Sequence, residues 1–169
     1  MEQTKQSVIT LGPGQGQHLS MAGGNYRILI TGKQTGGDFA TIEMLVPPGG
    51  GPGPHAHPDF HESFYVAEGE VEVQSEEGTY TATQGAYIVI PKGGMVHSFK
   101  NRSAKLAKLL CTVAPSGLEE MFLELGVPVA PGEFLPPPEI DDAGRKKMQE
   151  VAEKYGQRLY PPDYFTRPD

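Results

Sequence analysis

The chain of 169 residues has no tryptophan and only one cysteine, Cys111. A single thiol cannot close an intrachain disulfide, so nothing in the sequence asks for an oxidising compartment. Basic charge is scarce as well: 14 Lys and Arg stand against 21 Asp and Glu, for a net charge of -7. Nucleic acids and anionic membranes need a basic face on their partner, so this balance argues against both. No apolar run is long enough to span a bilayer, and Met1 to Thr10 lacks the apolar stretch of a signal peptide. The expectation is a cytoplasmic protein of one domain, residues 1–169, long enough to bury a core without staples.

Glycine and proline, by contrast, are abundant, at 22 and 16 residues spread along the chain. Up to about Val113 they separate short alternating runs: Tyr26 to Ile30, Thr41 to Val46, Glu62 to Ala67, Glu70 to Gln74, Thr79 to Thr83, Ala86 to Ile90, His97 to Lys100 and Leu106 to Val113. Short strands at near-regular intervals with turn residues between them predict an all-β sandwich or barrel, with its core over about 26–113. No helical pattern fits between the runs, which excludes parallel βαβ units. After Pro115 the period changes. Ser116 with Glu119 reads as a capping box, and Leu118, Met121, Phe122 and Leu125 follow at helical spacing. A Pro-rich connector precedes a second helix, capped by Asp141 or Asp142, carrying Met148, Val151, Ala152 and Tyr155 on its apolar stripe and ended by Gly156. This extension spans 116–156, and the tail from Tyr160 reads as extended chain lying over the body or a neighbour.

Three of the five histidines carry the chemistry. His55 and His57 lie two apart, so on a strand both imidazoles project from one face. Glu62 opens the next apolar run, and His97 lies beyond another pair of strands. Neutral imidazoles with a carboxylate suit one divalent transition ion: Fe, Mn, Ni, Co, Cu or Zn. A closed structural zinc site would be cysteine-rich, and there is no cysteine near these residues in the sequence. His61, beside Glu62, points to the opposite side of its strand, and His18 sits in a Gly-rich segment that reads as a solvated loop. Phe64 and Val66 share the face of Glu62, and Phe99 shares that of His97, so these three are expected inside, as core or as walls of a substrate pocket. Phe122 is placed either over the barrel mouth or outside it. Gly12 to Gly16 has glycines, but a proline and the lack of a following helix argue against a phosphate loop. Cys111, in an apolar run, reads as a buried small hydrophobe. The acidic run Glu68, Glu70, Glu72, Glu76 and Glu77 reads as a solvated face.

At these positions the sequence resembles the cupin superfamily. Its first motif is matched by Gly49, His55, His57, Glu62 and Gly69, with every interval kept. Its second is matched by Gly85, Pro91, Gly93, His97 and Asn101, with one residue extra between Gly93 and His97 and with Gly94 offering an alternative frame. The resemblance implies a jelly-roll β-barrel with His55, His57, Glu62 and His97 around one ion. Glycines 49, 69, 85 and 93 would sit where strands turn and positive φ is expected. Within the superfamily the chain is similar to small single-domain quercetinase-like proteins, through Pro47 to His57 and Ala114 to Glu119. That likeness implies a dioxygenase acting on a small, apolar, flavonol-like molecule, with Glu62 as both ligand and general base. The alternative is a metal-binding cupin without redox chemistry, an isomerase or a small-molecule sensor, since the fold hosts many reactions. Small cupins commonly pair. A homodimer is expected, with the N-terminal strand or the Pro-rich tail as the exposed edge to be covered.

Overall fold

The computed structural model describes residues 7–167. In chain order its elements are β1 (Gln17–Met21), β2 (Gly24–Ile30), α1 (Gly32–Thr35), β3 (Ala40–Val46), β4 (His55–Ala56), β5 (His61–Glu68), β6 (Glu70–Ser75), β7 (Gly78–Thr83), β8 (Tyr87–Ile90), β9 (His97–Lys100) and β10 (Ala107–Ala114). Then come α2 (Leu118–Leu125), β11 (Val127–Pro128), α3 (Asp142–Lys154) and β12 (Arg158–Leu159). The strands form two antiparallel sheets, in the orders β11-β1-β2-β3-β10-β5-β8 and β12-β4-β9-β6-β7. The two sheets face each other across one core of inward side chains. No strand pairing closes them into one barrel among the described residues.

Alternation decides which face is inside. On β3, Ala40, Ile42, Met44 and Val46 are buried, and on β10, Ala107, Leu109, Cys111 and Val113. On β5 the inward row is Glu62, Phe64 and Val66, so a carboxylate occupies a position where its neighbours are apolar. Each inward aliphatic side chain contributes roughly 1.5–3 kcal/mol on burial, and that packing fixes the strand register. A slip by one residue would turn Glu62 outward and Ser63 inward.

The motif residues outside the histidines build the frame. Asn101 is fully buried, and its Nδ2 donates to the carbonyls of Val46 and Lys105 at 2.9 and 2.7 Å. Its backbone and that of the Gly49–Gly50 turn exchange two further bonds, N of Gly49 to O of Asn101 at 2.7 Å and N of Asn101 to O of Gly50 at 2.9 Å. The loop leading to His55 is thereby tied to the end of β9. Gly51 within that loop has φ 128, and a Cβ there would stand 2.1 Å from the Phe99 carbonyl oxygen. Only glycine fits. The four motif glycines all have positive φ, as expected, and the extra residue before His97 is absorbed by Gly93 and Gly94, both in that region.

Several expectations are corrected. The body begins at β1, not at Tyr26, and the segment read as a solvated loop is a strand. His18 on it is buried, its Nδ1 3.3 Å from Asn25 Oδ1 and its Nε2 3.3 Å from the Gly14 carbonyl. The polar composition of Gln17–Met21 hid the strand. The capping box at Ser116 does not form, because Glu119 is drawn elsewhere. Its Oε1 accepts from Gly32 N and its Oε2 from Gly117 N, both at 2.7 Å, while Ser116 Oγ donates to Gly37 O at 3.1 Å. Asp141 does cap α3, accepting from Gly144 N at 2.8 Å. The tail beyond β12 is wound into turns around Asp163, not extended, and lies on the body through Tyr164 Oη and Glu76 Oε1 at 2.7 Å. The N-terminal strand β1, expected as an exposed edge, pairs with β11, and β12 pairs with β4 on the other sheet.

Candidate metal centre

The four residues singled out by spacing converge. His55 and His97 face each other across the β4–β9 pair, His57 follows β4, and Glu62 enters from β5 on the opposite sheet. One ligand atom from each lies within 4.8 Å of the others, and all four residues are buried.

The imidazoles are held by their far nitrogens. Nδ1 of His55 bonds the Gly53 carbonyl at 2.9 Å, Nδ1 of His97 the Met95 carbonyl at 3.0 Å, and Nδ1 of His57 the Phe60 carbonyl at 3.2 Å. A carbonyl oxygen only accepts, so each Nδ1 carries the proton and each Nε2 offers its lone pair. Phe60 also stacks on the His57 ring at 4.4 Å, fixing its plane. Nε2 of His57 then stands 2.9 Å from Glu62 Oε2, and that of His97 3.4 Å from the same oxygen. A lone pair facing a carboxylate at such distances requires a proton or a metal ion between them. The donor set therefore fits a divalent cation, with three neutral nitrogens and one carboxylate oxygen around one point.

The two oxygens of Glu62 have different tasks. Oε2 faces the histidines, whereas Oε1 accepts a weak bond from Cys111 Sγ at 3.4 Å. Burial pushes the Glu62 carboxyl up, but the proton-sharing contacts of Oε2 with His57 and His97 outweigh it and hold the group well below the usual carboxylate range. Burial, followed by the neighbouring His97, lowers His55 to about 4, so this ring is neutral and free to ligate at neutral pH. Burial, and then the charge of Glu62, raises Cys111 well above the ordinary thiol range. The thiol is thus a hydrogen-bond donor to the carboxylate.

Above the cluster opens a cavity of about 310 Å³, with His55 and Glu62 in its wall. That is the small end of the range for ligand pockets, ~300–1,000 Å³. Of the residues expected near the substrate, Phe99 and Phe122 line it, but Phe64 and Val66 do not. Phe64 packs edge-on against Phe99, with centroids 5.3 Å apart, and borders only a void of about 10 Å³ in the core. Val66 is fully buried in that core. The remaining wall went unread in the sequence. Met21, Met44, Met121 and Met148 give it a flexible thioether surface, and Tyr26 and Gln157 give it polar groups. Met121 and Met148 were legible only as helix-stripe residues, since their helices cover the mouth of the sheets and not an outer face.

A family model described as a cupin domain matches residues 42–113. No curated protein matches the chain. Solved structures do, with the same fold. A cupin-superfamily sugar phosphate isomerase from Silicibacter pomeroyi is 20% identical, covers 64% of this chain and 77% of its own, and has a TM-score of 0.57. An ectoine synthase from P. lautus is 24% identical over 76% of this chain and 94% of its own, with a TM-score of 0.55. A predicted oxalate decarboxylase from Thermotoga maritima is 20% identical over 64% of this chain and 99% of its own, with a TM-score of 0.56. The matched segment and the shared fold make this chain similar to cupin-domain proteins, and its cluster of three histidines and one glutamate fits a divalent metal ion.

Proposed function

We propose that the protein is a metal-dependent dioxygenase for a small, largely apolar molecule with an acidic hydroxyl, of the flavonol or enolised diketone class. The observation that carries this reading is the placement of an ionised, buried carboxylate, Glu62, in the wall of an apolar cavity and among three nitrogen donors. A redox-active ion held there by His55, His57, Glu62 and His97 would supply Lewis acidity and the activation of dioxygen. The chain's own part is to bind, orient and deprotonate. Glu62 accepts the hydroxyl proton, since its group is ionised at neutral pH and has two oxygens to divide between ion and substrate. Phe99 and Phe122 offer flat faces to an aromatic ring, and α2 covers the cavity with Leu118, Met121 and Phe122, shielding it from water.

The wall composition weighs against the substrates that the similar structures' names suggest. A sugar phosphate or an oxalate dianion needs a cationic side chain, and neither Lys nor Arg lines the cavity among the described residues. The test is oxygen uptake by protein reconstituted in turn with iron, manganese, nickel, cobalt and copper, against a flavonol and diketone panel. A flavonol added without oxygen should shift its absorption, and admitting oxygen should consume it. Absence of uptake with every metal and substrate would replace this reading with an isomerase or sensor.

A further inference from the structure

Two side chains lining the cavity have polar ends that the fold does not use among the described residues. Tyr26 and Gln157 are each 8% exposed, and both lie in the cavity wall. The Tyr26 ring is fixed by Phe122, with centroids 4.7 Å apart, yet its hydroxyl makes no hydrogen bond to another group among the described residues. The backbone N–H of Gln157 is used, donating to Ala152 O at 2.9 Å, while its side-chain amide is likewise unpaired among the described residues. Neither polar end is sealed inside the protein, since among the described residues Arg27 Nε is the fully buried side-chain nitrogen or oxygen left without a partner; both are open to the cavity and to whatever occupies it. Burial pushes the phenol of Tyr26 up to about 12, so it is a neutral donor throughout the physiological range.

The register sets where these groups stand. Tyr26 pairs with Met44, Met44 with Leu109, and Leu109 with Val66, four residues along β5 from Glu62. The Tyr26 backbone therefore lies two inward rows along the sheet from that of Glu62, and its ring reaches the cavity wall beside Phe122. On the other sheet, Leu159 pairs with His55 and Arg158 with Ala56, so Gln157 follows at the His57 end of that ladder. Tyr26 and Gln157 both come from outside the matched cupin segment of residues 42–113.

We infer that Tyr26 and Gln157 are specificity-determining residues, which bind a second polar group, a hydroxyl or carbonyl, on an aromatic ligand whose first hydroxyl meets the metal cluster. The inference rests on the proposed function only in taking a small aromatic molecule as occupant of this cavity; it needs no oxygen chemistry.

The experiment compares 2,6-dihydroxynaphthalene with 2-naphthol by fluorescence titration of the zinc-loaded protein. The wild type should bind the diol about tenfold more tightly, since losing one buried partner is worth about that factor. Tyr26→Phe, which keeps the ring against Phe122, and Gln157→Leu should each shrink the ratio several-fold while leaving 2-naphthol affinity and zinc content unchanged. A wild type that does not distinguish the two, that binds neither, or variants that keep the full ratio would overturn the inference. A preserved preference without oxygen uptake removes only the dioxygenase reading. Oxygen uptake with an unchanged ratio in both variants removes only this one.

Discussion

The segment that matches the cupin domain and the segments that flank it differ in the polar groups they present to the cavity. Within residues 42–113 most buried polar groups are satisfied by the chain: three Nδ1 atoms by carbonyls, Asn101 by four side-chain bonds, and Glu62 Oε1 by Cys111, while Glu62 Oε2 and the three Nε2 atoms converge on one point. In the flanks Glu119 is equally well used, but Tyr26 and Gln157 present free polar ends to the cavity. The first region is completed by a small cation at one point. The second is completed only by a molecule with its own shape. Affinity for the ion and selectivity for the substrate should therefore fail separately under mutation.

The largest expected effect lies in the core. His57→Ala removes a ligand nitrogen and leaves Glu62 Oε2 without its closest partner, at 2.9 Å in the wild type, so stoichiometric metal binding should be abolished. Metal analysis of the purified variant checks this, and one full equivalent retained would break the assignment. Glu62→Gln comes next. The amide oxygen still coordinates, but it does not take a proton, so binding should weaken while turnover falls by about 10²–10⁴-fold, the usual worth of a general base. Retained turnover would move the base elsewhere.

In the flanks the effect should be smaller and of another kind. Phe122→Leu keeps the cover apolar but removes a ring that lies 4.7 Å from Tyr26 and faces the cavity. KM should rise several-fold with metal content unchanged, and a loss of metal would show that the two regions are not separable. The mildest test is acid. His55 titrates near 4 when folded and 6.5 when free, so between these values the unfolded chain binds more protons. Stability of the metal-free protein should fall as pH drops through that window, by on the order of a few kcal/mol. The depressed Glu62 acts in the same direction, below its own free value near 4.5. Thermal melts across that range check the sign. A melting temperature that rises on acidification would contradict the buried, neutral state of His55.

What the sequence disclosed follows the same division. The eight long strands from Tyr26 to Val113 were legible because inward apolar and outward polar residues alternate, and the cluster because its donors are of one chemical type at fixed spacing. β1 was missed because Gln17–Met21 alternates poorly, and β11, β4 and β12 because two-residue pairings leave no periodic trace. Phe64 and Val66 were correctly placed inside, but a shared face does not say how far along the strand the cavity extends, and it stops short of both. Glu119 illustrates the limit most clearly. Its spacing from Ser116 matched a local cap, yet a partner 87 residues away in sequence, Gly32, took the carboxylate. Local patterns carry no information about such competitors. Tyr26 and Gln157 were unreadable for the same reason, since only the folded chain shows that their polar ends meet the cavity and no described residue.

X-ray absorption at the metal edge of the loaded wild-type protein tests the central claim most directly. The account predicts three imidazole nitrogens and at least one oxygen at about 2.0–2.2 Å, with no sulfur in the coordination shell. Fewer than three imidazoles, or a sulfur at about 2.3 Å from Cys111, would contradict it.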